Sequence, residues 1–223
     1  PCDTNIVITF EARPTVGDRG ASVEFVLAQV RAYDTTAGHW NLFVVEVSAP
    51  AGATVLARLH VPGEVSGMAL VGRHLHVAAG SAGVQTVDVG EPGSPRLVGA
   101  FWPQPADTVA DVAAHGHEVV AVGERGTLYV LDGRNGTPEL LGAAPVFAGA
   151  VAVHMFGTRA HVSTISRAAP DVQVEVVDVA DPAAPARLGA YAATALFPQA
   201  RLDGTYAYLA TARGLVVYHA EPR

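Results

Sequence analysis

One phrase of sequence recurs along this chain. Its clearest copy, Val176 to Gly189, reads VVDVADPAAPARLG: an apolar strand piece ending in an acid, a turn bracketed by prolines, and a second strand piece. With the acid as a ruler, Asp178 is preceded by Asp132 in LYVLD, Asp88 in VQTVD and Glu46 in LFVVE, and followed by His219 in LVVYH. Successive rulers stand 42, 44, 46 and 41 residues apart. A period in the forties is the length of one four-stranded unit in a radially repeated sheet protein.

The copies agree beyond the ruler. Eleven residues after Glu46, Asp88 and Asp178 come Ala57, Gly99 and Gly189, and ten after Asp132 comes Gly142. Pro92 with Pro95, and Pro182 with Pro185, mark the intervening connection, because proline cannot donate to a sheet ladder. An acid at a strand end accepts from the backbone two residues on and so starts a turn. Upstream, ALVGRHLHVAA, AAHGHEVVAVG, HMFGTRAHVST and RLDGTYAYLAT align on Gly72, Gly116, Gly157 and Gly204, each suited to a tight turn between two strands. The first copy, LAQVRAYDTT, has Val30 there, so its turn must differ.

The two ends of the chain are complementary. Ile6–Phe10 resembles an outermost strand with no unit before it, and the last copy stops at Arg223 before any fourth strand. The expectation is an all-β, five-bladed β-propeller, one domain over 1–223, closed by pairing of the N-terminal strand with the C-terminal blade beside Leu215–Tyr218. The blades span about 22–64, 65–107, 108–148, 149–196, and 197–223 plus 1–12. Closure removes exposed sheet edges. The innermost strand of the first blade is expected at Val23–Ala28. No helical periodicity with caps is visible. The longest connections within blades are 33–41 and 164–172.

Half of the 223 residues are hydrophobic, enough for a single core. The net charge of −7, without a basic stripe, argues against a nucleic-acid partner. No apolar run reaches the roughly 20 residues of a membrane-spanning helix. Cys2 is the only cysteine, so no internal disulfide is expected, and this count does not assign a compartment. The chain begins at Pro1 without a methionine, which fits an export signal either removed or never included in this sequence.

The pieces GVQTVDVGEPGSPRLVG (83–99) and VEVVDVADPAAPARLG (174–189) resemble the LVIVD repeat of bacterial surface and secreted β-propellers. The resemblance covers nearly the whole chain, with degraded copies at 42–57 and 126–142 and a truncated last one. It implies a propeller and an extracytoplasmic setting. It carries no catalytic motif, cofactor or site residues.

In such a ring the first strands of all blades converge on a channel. Counting back five from the turn position gives Phe25, Gly67, Asp111, Ala152 and Gln199; counting back three gives Leu27, Ala69, Ala113, His154 and Arg201. Strand alternation puts these two rows on one face, expected to line the channel, with Val26, Met68, Val112, Val153 and Ala200 packing between blades. Asp111, His154, Gln199, Arg201 and, near the entrance, Glu24 are thus the candidate ligand-binding cluster. Buried polar groups need partners, so the cluster reads in three ways: a register-holding pair, a ligand site, or a catalytic site using Asp111, His154 and Glu24 with Arg201.

His74 with His76, and His115 with His117, are H-x-H pairs. Residues i and i+2 share a strand face, but no third ligand stands at metal-site spacing, and His76 aligns with Val120, His161, Tyr208 and Tyr33. It reads as a packing residue, and neither metal nor cofactor is expected. There is no G-x-S-x-G motif and no glycine-rich loop opening a helix. Trp40 and the Phe101–Trp102 pair offer either contact surface or packing caps, with Trp102 read as a cap. The expectation is a non-catalytic recognition or scaffold domain, monomeric, with a protein or glycan ligand at one mouth. The alternative is a hydrolase or lyase acting at the channel.

Overall fold

The computed structural model describes residues 8–15, 22–30, 40–49, 52–165, 172–193, 199–203, 206–211 and 214–219, with side chains over 42–45, 54–164 and 173–190. Among these residues there are strands and turns and no helix. The first sheet contains β1 (Ile8–Thr15), β2 (Ser22–Val30), β3 (Trp40–Ala49) and β4 (Gly52–Val61). The second contains β5 (Gly67–Val71), β6 (His74–Ala78), β7 (Val84–Asp88) and β8 (Arg96–Phe101). The third contains β9 (Val109–His115), β10 (Glu118–Gly123), β11 (Thr127–Asp132) and β12 (Glu139–Pro145). The fourth contains β13 (Ala150–Phe156), β14 (Arg159–Ile165), β15 (Val172–Asp178) and β16 (Ala186–Ala193). The last contains β17 (Gln199–Asp203), β18 (Tyr206–Thr211) and β19 (Gly214–His219). Each is an antiparallel meander in chain order.

The repeat seen in the sequence is a repeat of hydrogen bonds. Asp88, Asp132 and Asp178 each accept from the backbone amide two residues on, at Gly90, Arg134 and Ala180, over 3.0 Å. The amide between them, at Val89, Gly133 and Val179, returns to the carbonyl of Arg73, His117 and Thr158, each just past an aligned turn glycine. Those glycines, Gly72, Gly116 and Gly157, have φ of 62°, 62° and 55°, a left-handed conformation that side chains resist. So each acid shapes the turn between third and fourth strands, and the amide after it ties that turn to the turn between first and second.

The spacing of Ala57, Gly99, Gly142 and Gly189 from their rulers is also a matter of register. They pair with Val44, Thr86, Val130 and Val176, in each case two residues before the ruler. Each pairing is followed by a one-residue bulge, which leaves Leu56, Val98, Leu141 and Leu188 opposite no partner. The single missing residue before Gly142 shortens the turn and leaves the bulge in register. Bulges sharpen local twist, and a sheet that packs against neighbours on both faces needs that twist.

The core is a set of seams between successive sheets. Leu42 and Val61 of the first sheet cluster with Leu75, Val77 and Val87 of the second. Ala69, Ala78 and Val84 cluster with Val112, Val119 and Leu131 of the third. Val120, Leu128 and Val130 cluster with Val153, Val162 and Val177 of the fourth. The sheets come nearest along their first strands, β5 to β9 and β9 to β13.

Two expectations are corrected. Ile8–Thr15 is hydrogen-bonded to Ser22–Val30, with Ile8 opposite Val30 and Thr15 opposite Ser22, not to Leu215–Tyr218; Ile6 and Val7 lie outside the described residues. The sheet of β17, β18 and β19 has three strands among the described residues. Pairing two strands that stand six residues apart in the sequence closes a short loop, whereas pairing the chain ends closes nearly the whole chain. The second correction follows. Ser22–Val30 is the second strand of its sheet, because it lies between β1 and β3. Glu24, Phe25 and Leu27 therefore do not belong to the row of first strands: Leu27 faces Val44 as His76 faces Thr86. The sequence reading missed this because SVEFVLAQV runs through Val30 with no turn residue.

The seams lead to a prediction. A side chain at Gly142 would overlap the Pro182 carbonyl oxygen of the next sheet. Gly142→Val is expected to destabilise the protein by about 2 kcal/mol, as overpacking does, read as a lower urea midpoint with an unchanged slope.

Candidate functional site

Where the first strands of three sheets meet sits one carboxylate. Asp111, on β9, accepts from its neighbour Val112 N at 2.9 Å through Oδ1 and from Val153 N of β13 at 2.9 Å through Oδ2. On its other side is Gly67 of β5, where any side chain would strike Asp111 Oδ1. Gly67 is therefore glycine so that β5 and β9 can close around this group. Asp111 stitches the third sheet to the fourth, the register-holding role that stood among the three readings of the sequence.

The lining rows are not as expected. Ala69 and Ala113, from the row counted back three, lie in the seams with the following sheets, and Met68, Val112 and Val153 lie in the seams with the preceding ones. β5 and β9 are thus packed on both faces, and Ala69 and Ala113 lie in seams instead of lining a channel. His154, on β13, is half-buried, and its buried Nε2 has no hydrogen-bond partner among the described residues. It faces His161 across the strand pair. Burial pushes both imidazoles below the ordinary histidine range, and in His161 the His154 ring adds to the effect. Gln199 and Arg201 lie on β17, opposite Ala210 and Tyr208, and their side chains are outside the described residues, as is that of Glu24. The structure therefore brings Asp111 to the β9–β13 seam, puts His154 further along β13, and takes Glu24 off the first-strand row.

The histidine motifs separate. His76 is fully buried, with Nδ1 3.1 Å from the Thr86 hydroxyl and Nε2 3.1 Å from the Gly133 carbonyl of the next sheet. A neutral ring protonated at Nε2 satisfies both contacts, and burial lowers its pKa to about 4. His74 reaches the Arg134 carbonyl at 3.1 Å, and His115 and His117 are exposed. No group of metal-ligating side chains occurs among the described residues.

Other buried acids, passed over in the sequence, do the same work as Asp111. Asp107 accepts from Thr108 N at 2.8 Å, Arg125 N at 3.1 Å and the Tyr129 hydroxyl at 3.3 Å. Glu175, fully buried, accepts from Phe147 N of the third-to-fourth connection and pairs with Arg187 at 2.6 Å. An acid set among valines in VQVEVVD was the signal for it. The Arg73 guanidinium grips Asp88 at 2.6 and 2.8 Å and holds its carboxyl well below the usual range; Arg134 does so for Asp132.

Exposed aromatic surface lies at the opposite end from these ruler acids. Trp102, directly after β8, is 59% exposed and so does not act as a packing cap; its neighbour Phe101 packs on Tyr129 with ring centroids 5.6 Å apart. Phe147, after β12, is 40% exposed and carries the Arg187 guanidinium 4.8 Å above its ring. Both stand on connections that lead from an outer strand to the next first strand. Trp40 opens β3, and its side chain is outside the described residues.

Residues 62–102 match the LVIVD repeat family. No curated protein matches the chain. Among solved structures, a protein of unknown function from Desulfotomaculum acetoxidans superposes with a TM-score of 0.70 at 13% identity, over 88% of this chain and 65% of that one. A putative 6-phosphogluconolactonase from Bacteroides uniformis gives 0.66 at 16%, over 90% and 66%. The Cps50 (Swd1) β-propeller domain of Myceliophteria thermophila gives 0.64 at 12%, over 89% and 67%. The chain thus spans about two thirds of the length of these structures. At such identities the likeness is one of fold, that of a β-propeller, shared by proteins with different descriptions.

Two outcomes test the site. Asp111→Ala leaves the Val153 amide without its acceptor and is expected to cost about 1–3 kcal/mol in urea unfolding. His76 binds a proton less readily when folded than the ordinary value of 6.5 allows, so its stabilisation is complete above that pH and is lost as pH falls toward 4. His76→Val, which copies Val120, is expected to flatten the fall in thermal midpoint between those two pH values while lowering the midpoint at pH 7.

Proposed function

We propose that this chain is a non-catalytic recognition or scaffold propeller, its five sheets closing into a ring. It binds a protein or glycan at the mouth that carries the sheet-to-sheet connections. The observation behind this reading is the allocation of polar groups. Asp88, Asp107, Asp111, Asp132 and Glu175 are each taken up by amides, guanidinium groups or a hydroxyl within the fold, while Trp102 and Phe147 are presented to solvent at one end. Groups already engaged in holding sheets together make poor acids and bases, and exposed aromatics on rigid connections are the usual anchors of an interface. The domain acts as a monomer outside the cytoplasm, the setting that the LVIVD resemblance implies.

One observation favours the rival reading of a hydrolase or lyase. Burial lowers the His154 pKa, and its buried Nε2 has no hydrogen-bond partner among the described residues, which leaves a neutral imidazole nitrogen able to accept a proton. Against it, both Asp111 oxygens are held by main-chain amides.

A screen against an immobilised glycan panel and a panel of purified extracellular proteins separates the two. Any ligand found is expected to lose tenfold or more in affinity in the Trp102→Ala/Phe147→Ala variant and to bind His154→Gln unchanged. Turnover of fluorogenic glycosides or esters that His154→Gln abolishes would establish the rival reading instead.

A further inference from the structure

The third sheet departs from its neighbours at one turn. Four residues past the ruler acids of the second and fourth sheets stand Pro92 and Pro182, each preceded by an acid, Glu91 and Asp181. Counted from Asp132, the same two places in the third sheet hold Asn135 and Gly136, the one Asn-Gly pair in the sequence. Proline at two of the three equivalent places shows that the fold asks for no N–H donor there. Accordingly, the Gly136 N–H has no hydrogen-bond partner among the described residues. The sister turns are braced by Ser94 N to Glu91 O at 2.9 Å and Ala184 N to Asp181 O at 3.1 Å. The corresponding donor here is Pro138, which has no N–H. Asp181 also accepts from Ala183 N, whereas the Asn135 side chain is exposed and makes no hydrogen bond among the described residues.

Glycine at 136 is demanded by packing, because the turn lies on the second sheet. His74 Nδ1 is 3.1 Å from the Arg134 carbonyl oxygen. A Cβ at Gly136 would stand 3.0 Å from Val98 Cγ2, and one at Gly99 would strike the Gly136 carbonyl oxygen. The seam thus sets glycine directly after asparagine, a thermolabile residue, with no side chain to shield the following nitrogen.

We propose that Asn135 is a site of spontaneous modification, where the turn converts itself to aspartate and isoaspartate and so lifts from the second sheet. The Gly136 nitrogen attacks the side-chain carbonyl carbon of Asn135. A C–N bond forms, the bond to the side-chain nitrogen breaks, and ammonia leaves with the Gly136 proton. Water, the only co-reactant, then opens the five-membered imide at either carbonyl. Opening at the main-chain carbonyl gives isoaspartate, which inserts one methylene between residues 135 and 136. The Gly136 carbonyl can then no longer sit on Gly99.

The test incubates the full chain, folded and urea-unfolded, at neutral and mildly alkaline pH. Peptide mapping with isoaspartyl methyltransferase labelling reads each asparagine. Asn135 in the folded chain is expected to convert less than tenfold slower than in the unfolded chain, and faster at the higher pH, where the attacking nitrogen loses its proton more readily. A folded-state rate slower by tenfold or more means that the turn shields the pair, and overturns the proposal. The isoaspartyl protein, separated by chromatography, is expected to melt below the starting protein. Asn135→Asp, which adds the charge without the methylene, is expected to melt as the starting protein does. An isoaspartyl form that melts no lower, or an Asn135→Asp variant that melts as low as it, overturns the lifting of the turn.

Discussion

A four-stranded sheet that is apolar on both faces cannot stand alone in water. Val112 and Ala113 are consecutive on β9, point opposite ways, and are both packed in seams. Valine, alanine and leucine fill both sides of every described seam, so each sheet depends on the next to exclude water. The turns, bulges and buried acids serve that requirement.

The buried acids solve a problem that the apolar seams create. Where two sheets converge, backbone amides that face across the seam have no ladder partner, and an unpaired buried amide is costly. Asp111 supplies the acceptor for Val153, Glu175 for Phe147, and Asp107 for Arg125. His76 makes the reverse bond, donating to the Gly133 carbonyl. These contacts all cross from one sheet, or one connection, to another. They fix how sheets sit on one another, a matter on which non-directional apolar packing is silent.

Much of this was legible along the chain. The ruler acids, the turn glycines and the outer-strand glycines stood at a regular period, and each proved to be a hydrogen bond or a register position repeated in several sheets. The ends were not legible. Ile8–Thr15 reads equally well as an outermost or a first strand, since a short apolar run carries no label for its partner. Its pairing with Ser22–Val30 moved Glu24 to the second strand of its sheet. Asp111 and His154 were legible as polar interruptions of apolar strands, but not as residues with different surroundings.

The amino-acid sequence determined the unit: strand lengths, the acid that starts each turn, and the glycines that let units approach, because these follow from local backbone chemistry and a constant period. Tertiary structure decided what faces what. Whether Asp111 meets a ligand or the Val153 amide, and whether Trp102 is covered or bare, depends on residues some forty positions away or more. Those separations are bridged only by the packing of whole sheets, whose geometry no local pattern encodes.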